Sequence, residues 1–226
     1  MIDALVNTLS FLGLLISLAW QAAQFSSEAF MQVTVATDAQ SAAILIAFLA
    51  GVSEMTGQSA ILIYNRTPLY RFIASLAYTG LSYIATALIW GLSAICVSIT
   101  TGTGMLSWFE ITSVMAILCL AFAPRLLGVL TITPHIGPGI ANILEAWALV
   151  LAIFGMHVAL DLSIFVATIV GLVGWLVSVA MRTILGRVLR RPLAAMRIAV
   201  TGSTLEKSPQ QILDDLMLRL SRERNA

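Results

Sequence analysis

Four polar residues interrupt runs of sequence that are otherwise apolar enough to cross a membrane: Glu54, Gln58, Arg125 and Glu145. We call these four residues the intramembrane polar cluster. A carboxylate inside a membrane costs free energy unless another group compensates its charge. Glu54 and Gln58 are four residues apart, so they lie on one face of a helix. Arg125 enters the membrane from the same side, and Glu145 competes with Glu54 for it. The pattern predicts that Glu54 turns inward and is satisfied by Gln58, by Arg125 or by remaining protonated.

Two interpretations of this cluster stay open. An ion pair between Glu54 and Arg125 would hold two helices in register, whereas ionisable groups inside a membrane can also mark a transport path. Transport paths usually contain several such groups, or broken helices near the middle of the membrane. The link "TPHIGPG" at 133–139 is the one hint of a break. We therefore favour the structural interpretation.

Other chemistry finds little support in the sequence. The two histidines, His135 and His157, lie in a link and at the end of a span, where they form neither a metal-ligand set nor a base beside a nucleophile. Cys96 and Cys119 lie inside apolar runs, which argues against a disulfide framework. The fragment "RIAVTGST" at 197–204 begins like a dinucleotide-binding turn but lacks the later glycines. We expect no catalytic residue, no cofactor and no metal, and therefore not an enzyme.

The composition is that of a membrane protein, because 59% of the residues are hydrophobic and only 10% are charged. A spanning helix needs about 20 mostly apolar residues. Five segments qualify, at about 40–64, 72–99, 107–130, 139–160 and 162–181. Residues 4–20 form a shorter candidate, with polar residues every three or four positions. That pattern fits a helix in the membrane interface or a span whose polar stripe faces other helices. The sequence predicts an all-α bundle of five transmembrane helices, or six with the N-terminal segment.

The positive charges predict the orientation, since Lys and Arg are retained on the cytoplasmic side near the ends of spans. With alternating spans, all 12 basic residues fall on one side. Two lie in the link at 65–71, Arg125 lies near the next link on that side, and the others follow residue 181. The C-terminus is therefore predicted to be cytoplasmic. The formal net charge of +1 argues against a nucleic-acid partner.

The sequence divides into three regions: an N-terminal apolar or amphipathic segment with a non-cytoplasmic link (1–39), the bundle (40–181) and a basic cytoplasmic tail (182–226). Four arginines begin the tail. They either anchor the orientation just past the last span or, because they alternate with aliphatic residues, rest on an anionic membrane surface: Arg182, Arg187, Arg190 and Arg191. Ser208, Pro209 and Gln211 then form a capping-box signature. A short amphipathic helix is predicted over 209–222, with its apolar face on lipid, on the bundle or on a partner.

Several segments resemble the Yip family, small membrane proteins named for interaction with Rab-type GTPases. They are "LIYNRTPLYRFIASL", "LAFAPRLLGVLTITPHIGPGI" and "AWALVLAIFGMHVALDLSIFVATIVGLVGWL". In that family a proline followed by leucines ends the third span, a link with proline and glycine follows, and a Trp opens the fourth. The matching residues here are Pro124, Leu126, Leu127, Pro134, Gly137 and Trp147. The resemblance covers about residues 40 to 181.

The resemblance implies a five-span bundle with a non-enzymatic role in membrane trafficking, membrane organisation or assembly of a membrane complex. The residues before position 40 are unlike the long polar region through which eukaryotic members are thought to meet GTPases. The positive C-terminal side is a second departure, so the resemblance does not extend to GTPase binding. We expect the lipid bilayer and a membrane-protein partner or a second copy as partners. The expected location is a bacterial inner membrane or a thylakoid-type membrane. The alternative function is a small-solute or ion transporter that uses the intramembrane carboxylates.

Overall fold

The computed structural model describes residues 2–58, 69–100, 108–133 and 136–188. Two compact units divide the chain, Met1–Ile184 and Leu185–Ala226, and the description below concerns the first. Its helices are α1 (Ile2–Ala23), α2 (Ser27–Val35), α3 (Thr37–Gln58), α4 (Leu69–Thr100), α5 (Trp108–Leu120), a 3-10 helix (Ala123–Ile132), α6 (Gly137–Ala159) and α7 (Ile164–Val188). The described part of the chain contains no strand, so the prediction of an all-α helical bundle is confirmed.

Within the described residues, six segments are long and apolar enough to cross a membrane. They are Val6–Ala23, Thr37–Gly57, Phe72–Cys96, Ile111–Ile132, Gly137–Ala159 and Ile164–Met181. Large apolar side chains such as Ile16, Leu81 and Leu176 are exposed along them, as expected where lipid rather than water is the surrounding solvent. The chain is an integral membrane protein, and the N-terminal segment supplies the sixth candidate span.

Helix α3 is the central helix of the bundle, since it contacts α1, α2, α4, α5 and the 3-10 helix. Its packed faces carry small side chains that are fully buried: Ala39, Ala42, Ala43, Ala47 and Ala50. Small residues let helix backbones approach closely inside a membrane. A Cβ on Gly51 would lie 2.6 Å from the carbonyl oxygen of Thr79 in α4. The crossing of α3 and α4 therefore requires glycine at position 51.

The link between α1 and α3 contains a short packed helix that the sequence did not predict. Ala29, Phe30 and Val33 of this helix, α2, are fully buried. The ring of Phe30 meets that of Phe154 edge-on, with 5.8 Å between centroids. A Cβ on Gly155 would lie 2.5 Å from the Phe30 ring. Helix α2 thus closes one end of the bundle against α5 and α6.

The polar stripe of α1 does not face the other helices. Leu15, Leu18 and Ala22 form its packed face, whereas Ser10 and Ser17 are exposed. Each of these serine hydroxyls donates to the carbonyl oxygen three residues earlier, at 2.8 and 2.9 Å. The serines are therefore satisfied within their own helix and do not join helices together.

The fourth candidate span changes from α-helix to 3-10 helix where Pro124 occurs. Proline has no N–H to donate, and its ring clashes with the carbonyl four residues earlier, so it is tolerated only in the first turn of a helix. The N–H of Arg125 then bonds to the carbonyl oxygen of Phe122 at 2.9 Å, a three-residue step. Side chains three residues apart are eclipsed in a 3-10 helix. Arg125, Gly128 and Thr131 therefore form one row.

That row faces α3. A Cβ on Gly128 would lie 2.9 Å from the Cα of Glu54, and a Cβ on Gly57 would lie 2.5 Å from Oγ1 of Thr131. The two backbones are therefore in contact along this stretch. The irregularity expected at 133–139 begins earlier along the chain, just after α5 ends at Leu120.

Several predictions lie outside the described residues. They are the tail helix 209–222, Arg190 and Arg191, and the side chains of Arg182, Arg187 and Gln58.

Candidate functional site

Arg125 is the centre of the intramembrane polar cluster. Its NH1 nitrogen lies 3.0 Å from Oε2 of Glu54 in α3. Its NH2 nitrogen lies 3.2 Å from Oε2 of Glu145 in α6. NH1 also donates to the hydroxyl of Tyr83 in α4. The structure thus brings together three of the four predicted residues, and the two carboxylates share the arginine rather than one of them excluding the other.

The two ion pairs differ in exposure. The side chain of Arg125 is 11% exposed, that of Glu54 24% and that of Glu145 36%. A charge that is largely removed from solvent requires a charged partner, and deleting one member of a buried pair is strongly destabilising. Glu54 is therefore the more enclosed of the two carboxylates.

Aromatic side chains complete the surroundings of the arginine. The guanidinium carbon of Arg125 lies 5.4 Å from the centroid of the Tyr83 ring, within the range of a cation–π interaction. The indole N–H of Trp175 in α7 donates to Oε1 of Glu145 at 3.3 Å. Five elements, α3, α4, the 3-10 helix, α6 and α7, therefore meet at one charged group.

Ser53, beside Glu54, makes a further contact that the sequence did not reveal. Its hydroxyl donates to the carbonyl oxygen of Leu126 at 2.6 Å and accepts from the N–H of Val129 at 3.0 Å. Leu126 and Val129 are three residues apart, the spacing that a 3-10 hydrogen bond joins. One side chain of α3 thus satisfies both groups of a turn in its neighbour.

The sequence did not reveal Tyr83 and Trp175 as members of the site, and it placed Ser53 only beside the face of Glu54 and Gln58. Tyr and Trp combine an apolar body with one polar group, so their presence in an apolar span is a weak signal for a buried hydrogen bond. The same residues are also common at membrane interfaces. No feature of the sequence alone separates these two roles.

A small cavity lies next to the cluster. It measures about 20 Å³ for the centre of a water-sized sphere. Its lining residues come from α4, the middle of the fourth span, α6 and α7: Tyr83, Thr86, Trp90, Phe122, Arg125, Glu145, Ala148, Trp175 and Ser178. A cavity needs about 10–15 Å³ on this measure to hold one water molecule. The space suits one water and is too small for a larger solute.

The described residues contain no group of three His, Cys, Asp or Glu side chains placed to hold a metal ion. Cys96 and Cys119 are both free thiols. What the cluster does in this arrangement is join helices. Comparison with known proteins gave no match to a family model, to a curated protein or to a solved structure. The resemblance to the Yip family therefore stays a prediction.

Proposed function

We propose that this chain is a non-enzymatic membrane protein that organises membranes or assembles a membrane complex. One observation carries the proposal: the charged groups deep in the membrane are engaged in contacts between helices. Apart from Asp38 in the first turn of α3 and His157 in the last turn of α6, the acidic and basic residues of the six candidate spans are Glu54, Arg125 and Glu145. All three belong to the network around Arg125.

This arrangement supports a bundle that acts through its surface. A transport path would require a hydrated route to the carboxylates, whereas the cavity beside Arg125 has room for about one water molecule. Glu54 does not line that cavity. Lipid and another membrane protein, or a second copy of the chain, are then the partners we propose. We place the chain in a bacterial inner membrane or thylakoid-type membrane with its C-terminus cytoplasmic. A role like that of the Yip family agrees with this proposal.

Affinity isolation from native membranes tests the proposal. The full chain, tagged and solubilised in a mild detergent, is expected to retain a membrane-protein partner or a second copy in fixed stoichiometry. An unrelated polytopic protein with the same tag and expression level is the control. Recovery of only the monomer, both from detergent and after cross-linking in intact membranes, would contradict it.

Small-solute or ion transport is the second candidate, and one observation favours it. The fourth span is interrupted, and the cavity lies beside the interruption in contact with Arg125 and Glu145. Interrupted helices near the middle of the membrane are typical of transporter binding sites. Proton flux into proteoliposomes under a potassium diffusion potential tests this function. Transport predicts flux that Glu145→Gln abolishes without loss of folding, whereas the assembly proposal predicts that the parent protein gives the flux of empty liposomes.

A further inference from the structure

We propose that the cavity beside Arg125 is a binding site for one water molecule, which accepts a hydrogen bond from Nε of Arg125 and donates to oxygen atoms of the cavity wall. The site would join α4, α6 and α7 to the 3-10 helix through the water. This inference is independent of the proposed function, because it concerns how the arginine network is completed.

The hydrogen bonds of Arg125 leave one of its nitrogen atoms without an acceptor among the described residues. NH1 donates hydrogen bonds to Glu54 and Tyr83, and NH2 forms an ion pair with Glu145. Its Nε is buried and has no acceptor within the described part of the chain. A buried donor without an acceptor loses the hydration it would have in water, and the penalty is larger on a charged group than on a neutral one. The residue is only 9% exposed. Nε therefore requires an acceptor supplied from inside the bundle, and Arg125 lines the cavity.

The wall of the cavity carries polar groups with which a water molecule can form hydrogen bonds. Buried water molecules occupy polar cavities where two to four hydrogen-bonding groups converge, whereas apolar cavities of similar size stay dry. The hydroxyl of Thr86 donates to the carbonyl oxygen of Ser82 at 2.8 Å, and that of Ser178 donates to the carbonyl oxygen of Trp175 at 2.8 Å. A hydroxyl oxygen that donates its hydrogen still has lone pairs that accept. Arg125, which carries the buried Nε, and Thr86, whose hydroxyl oxygen can accept, thus line the same cavity.

These two requirements decide the class of ligand. A small anion accepts from Nε but cannot donate to the hydroxyl oxygens, and it would lie beside the Glu145 carboxylate. A bare cation cannot accept from Nε and would lie against the guanidinium group. Water both accepts and donates, it is neutral, and it fits the volume of about 20 Å³.

The direct test observes the Nε–H of Arg125 by NMR in the full chain, with ¹⁵N-labelled arginine and the protein in lipid nanodiscs. Arg125→Lys assigns the resonance by removing it. We expect a cross-relaxation peak between this proton and water, and we expect the peak to persist in Tyr83→Phe, which excludes relay through the tyrosine hydroxyl. Absence of the peak in the parent protein, or its loss in Tyr83→Phe, would overturn the proposal.

A substitution series at Ala148, which lines the cavity, gives a second test. Ala148→Val fills the space with methyl groups, so a displaced water leaves Nε without an acceptor. We expect the peak to disappear and the melting temperature to fall by about 2–6 °C. Ala146→Val, on an exposed position of the same helix, controls for the helix propensity of valine. Ala148→Ser supplies a hydroxyl in place of methyl groups and should melt closer to the parent than Ala148→Val.

The alternative is a dry cavity, for which Ala148→Val is expected not to lower the melting temperature. Filling a dry void with methyl groups adds contacts and leaves stability equal or higher. An Ala148→Val protein at least as stable as Ala146→Val would therefore overturn the proposal. Ala148→Val that melts lower but keeps the water peak would also overturn it, because the water would then lie elsewhere.

Discussion

At the scale of single residues, the structure explains why an arginine rather than a lysine lies inside this membrane protein. Glu54 and Glu145 approach Arg125 from two different helices and contact two different nitrogens. A guanidinium group presents its donors in a planar fork, whereas a lysine ammonium is a single point charge. Arg125→Lys therefore cannot hold both carboxylates in the same geometry.

The first prediction concerns Glu54. Glu54→Gln keeps an acceptor oxygen near NH1 of Arg125, so we expect a small loss of stability. Glu54→Leu removes that acceptor from a largely buried cation, and we expect a loss of about 1–3 kcal/mol or more. Thermal unfolding in detergent measures both variants, with the same pair at Glu145 for comparison. A Glu54→Leu protein as stable as the parent would show that the carboxylate has no structural role and would favour transport.

The second prediction concerns the hydroxyl of Tyr83. Tyr83→Phe removes an acceptor for NH1 of Arg125 but keeps the aromatic ring, so the cation–π contact remains. We expect a loss of about 1.5–3 kcal/mol, the range for a hydrogen bond to a charged group. Tyr78→Phe is the matched control, because Tyr78 is 60% exposed on the same helix. Equal melting temperatures for the two variants would mean that the Tyr83 hydroxyl contributes nothing.

The pairing of Arg125 with Glu54 was predictable because charge and depth can be counted along the sequence. Each residue lies a known number of helical rises from the same membrane face. Tyr83 and Trp175 were not predictable, because their roles depend on how α4 and α7 rotate against their neighbours. Rotation is set by packing of apolar surfaces, which one sequence does not specify. The sequence left Glu145 as a competitor for Arg125, whereas in the structure one guanidinium group contacts both carboxylates.

At the scale of elements, the 3-10 helix is the feature that hydropathy could not show. The sequence predicted a continuous span at 107–130. A run of apolar residues has the same hydropathy in a 3-10 helix, with three residues per turn, as in an α-helix, with 3.6. Pro124 is a local signal, but proline also occurs at the start of ordinary α-helices. The contacts of Ser53 with Leu126 and Val129 show what stabilises the tighter helix. Ser53 lies in α3, so the sequence of the fourth span alone does not reveal this contact.

The third prediction tests the close approach of α3 and the 3-10 helix. Gly128→Ala places a Cβ 2.9 Å from both the N and the Cα atoms of Glu54, which are backbone atoms that cannot rotate away. We expect a loss of about 1–3 kcal/mol from this overpacking, and weaker pairing of Glu54 with Arg125. Thermal unfolding in detergent measures the change.

Gly13→Ala is the matched control for that experiment. A Cβ on Gly13 meets nothing within 4 Å, and alanine is the better helix former by about 1 kcal/mol. We expect Gly13→Ala to be neutral or stabilising. Equal melting temperatures for Gly13→Ala and Gly128→Ala would mean that the backbones of α3 and the 3-10 helix are not in close contact at Gly128.

At the scale of the whole molecule, hydropathy and length were sufficient to predict a bundle of helices. A membrane span must satisfy all of its backbone hydrogen bonds internally, so an apolar run of about 20 residues has few alternatives to a helix. Residues 4–20 were compatible with either a span or an interfacial helix, because the apolar run is short and has polar residues every three or four positions. Helix α1 extends to Ala23, and buried contacts at Leu15, Leu18 and Ala22 attach it to the bundle. Helix α2 escaped prediction because its nine residues are too few to span.

The fourth prediction concerns topology. Six spans place both ends of the chain on one side, and the basic residues predict that this side is cytoplasmic. Reporters fused separately before Met1 and after Ala226 of the full chain should therefore both give a cytoplasmic signal. Opposite signals would mean that α1 does not cross. A C-terminal signal from the other side would contradict the whole order of spans.

Because this region forms a 3-10 helix, inserting or deleting a residue is expected to disturb it more than replacing a side chain. One turn rises about 6 Å in a 3-10 helix and about 5.4 Å in an α-helix, so neighbouring helices of the two kinds stay nearly in phase for two turns. Arg125, Gly128 and Thr131 occupy successive turns against Glu54 and Gly57. Inserting or deleting one residue between Arg125 and Gly128 would rotate the following residues by about 120°. The row would then turn a bulkier side chain toward α3, so an insertion or deletion in this segment should destabilise the protein more than Gly128→Ala does.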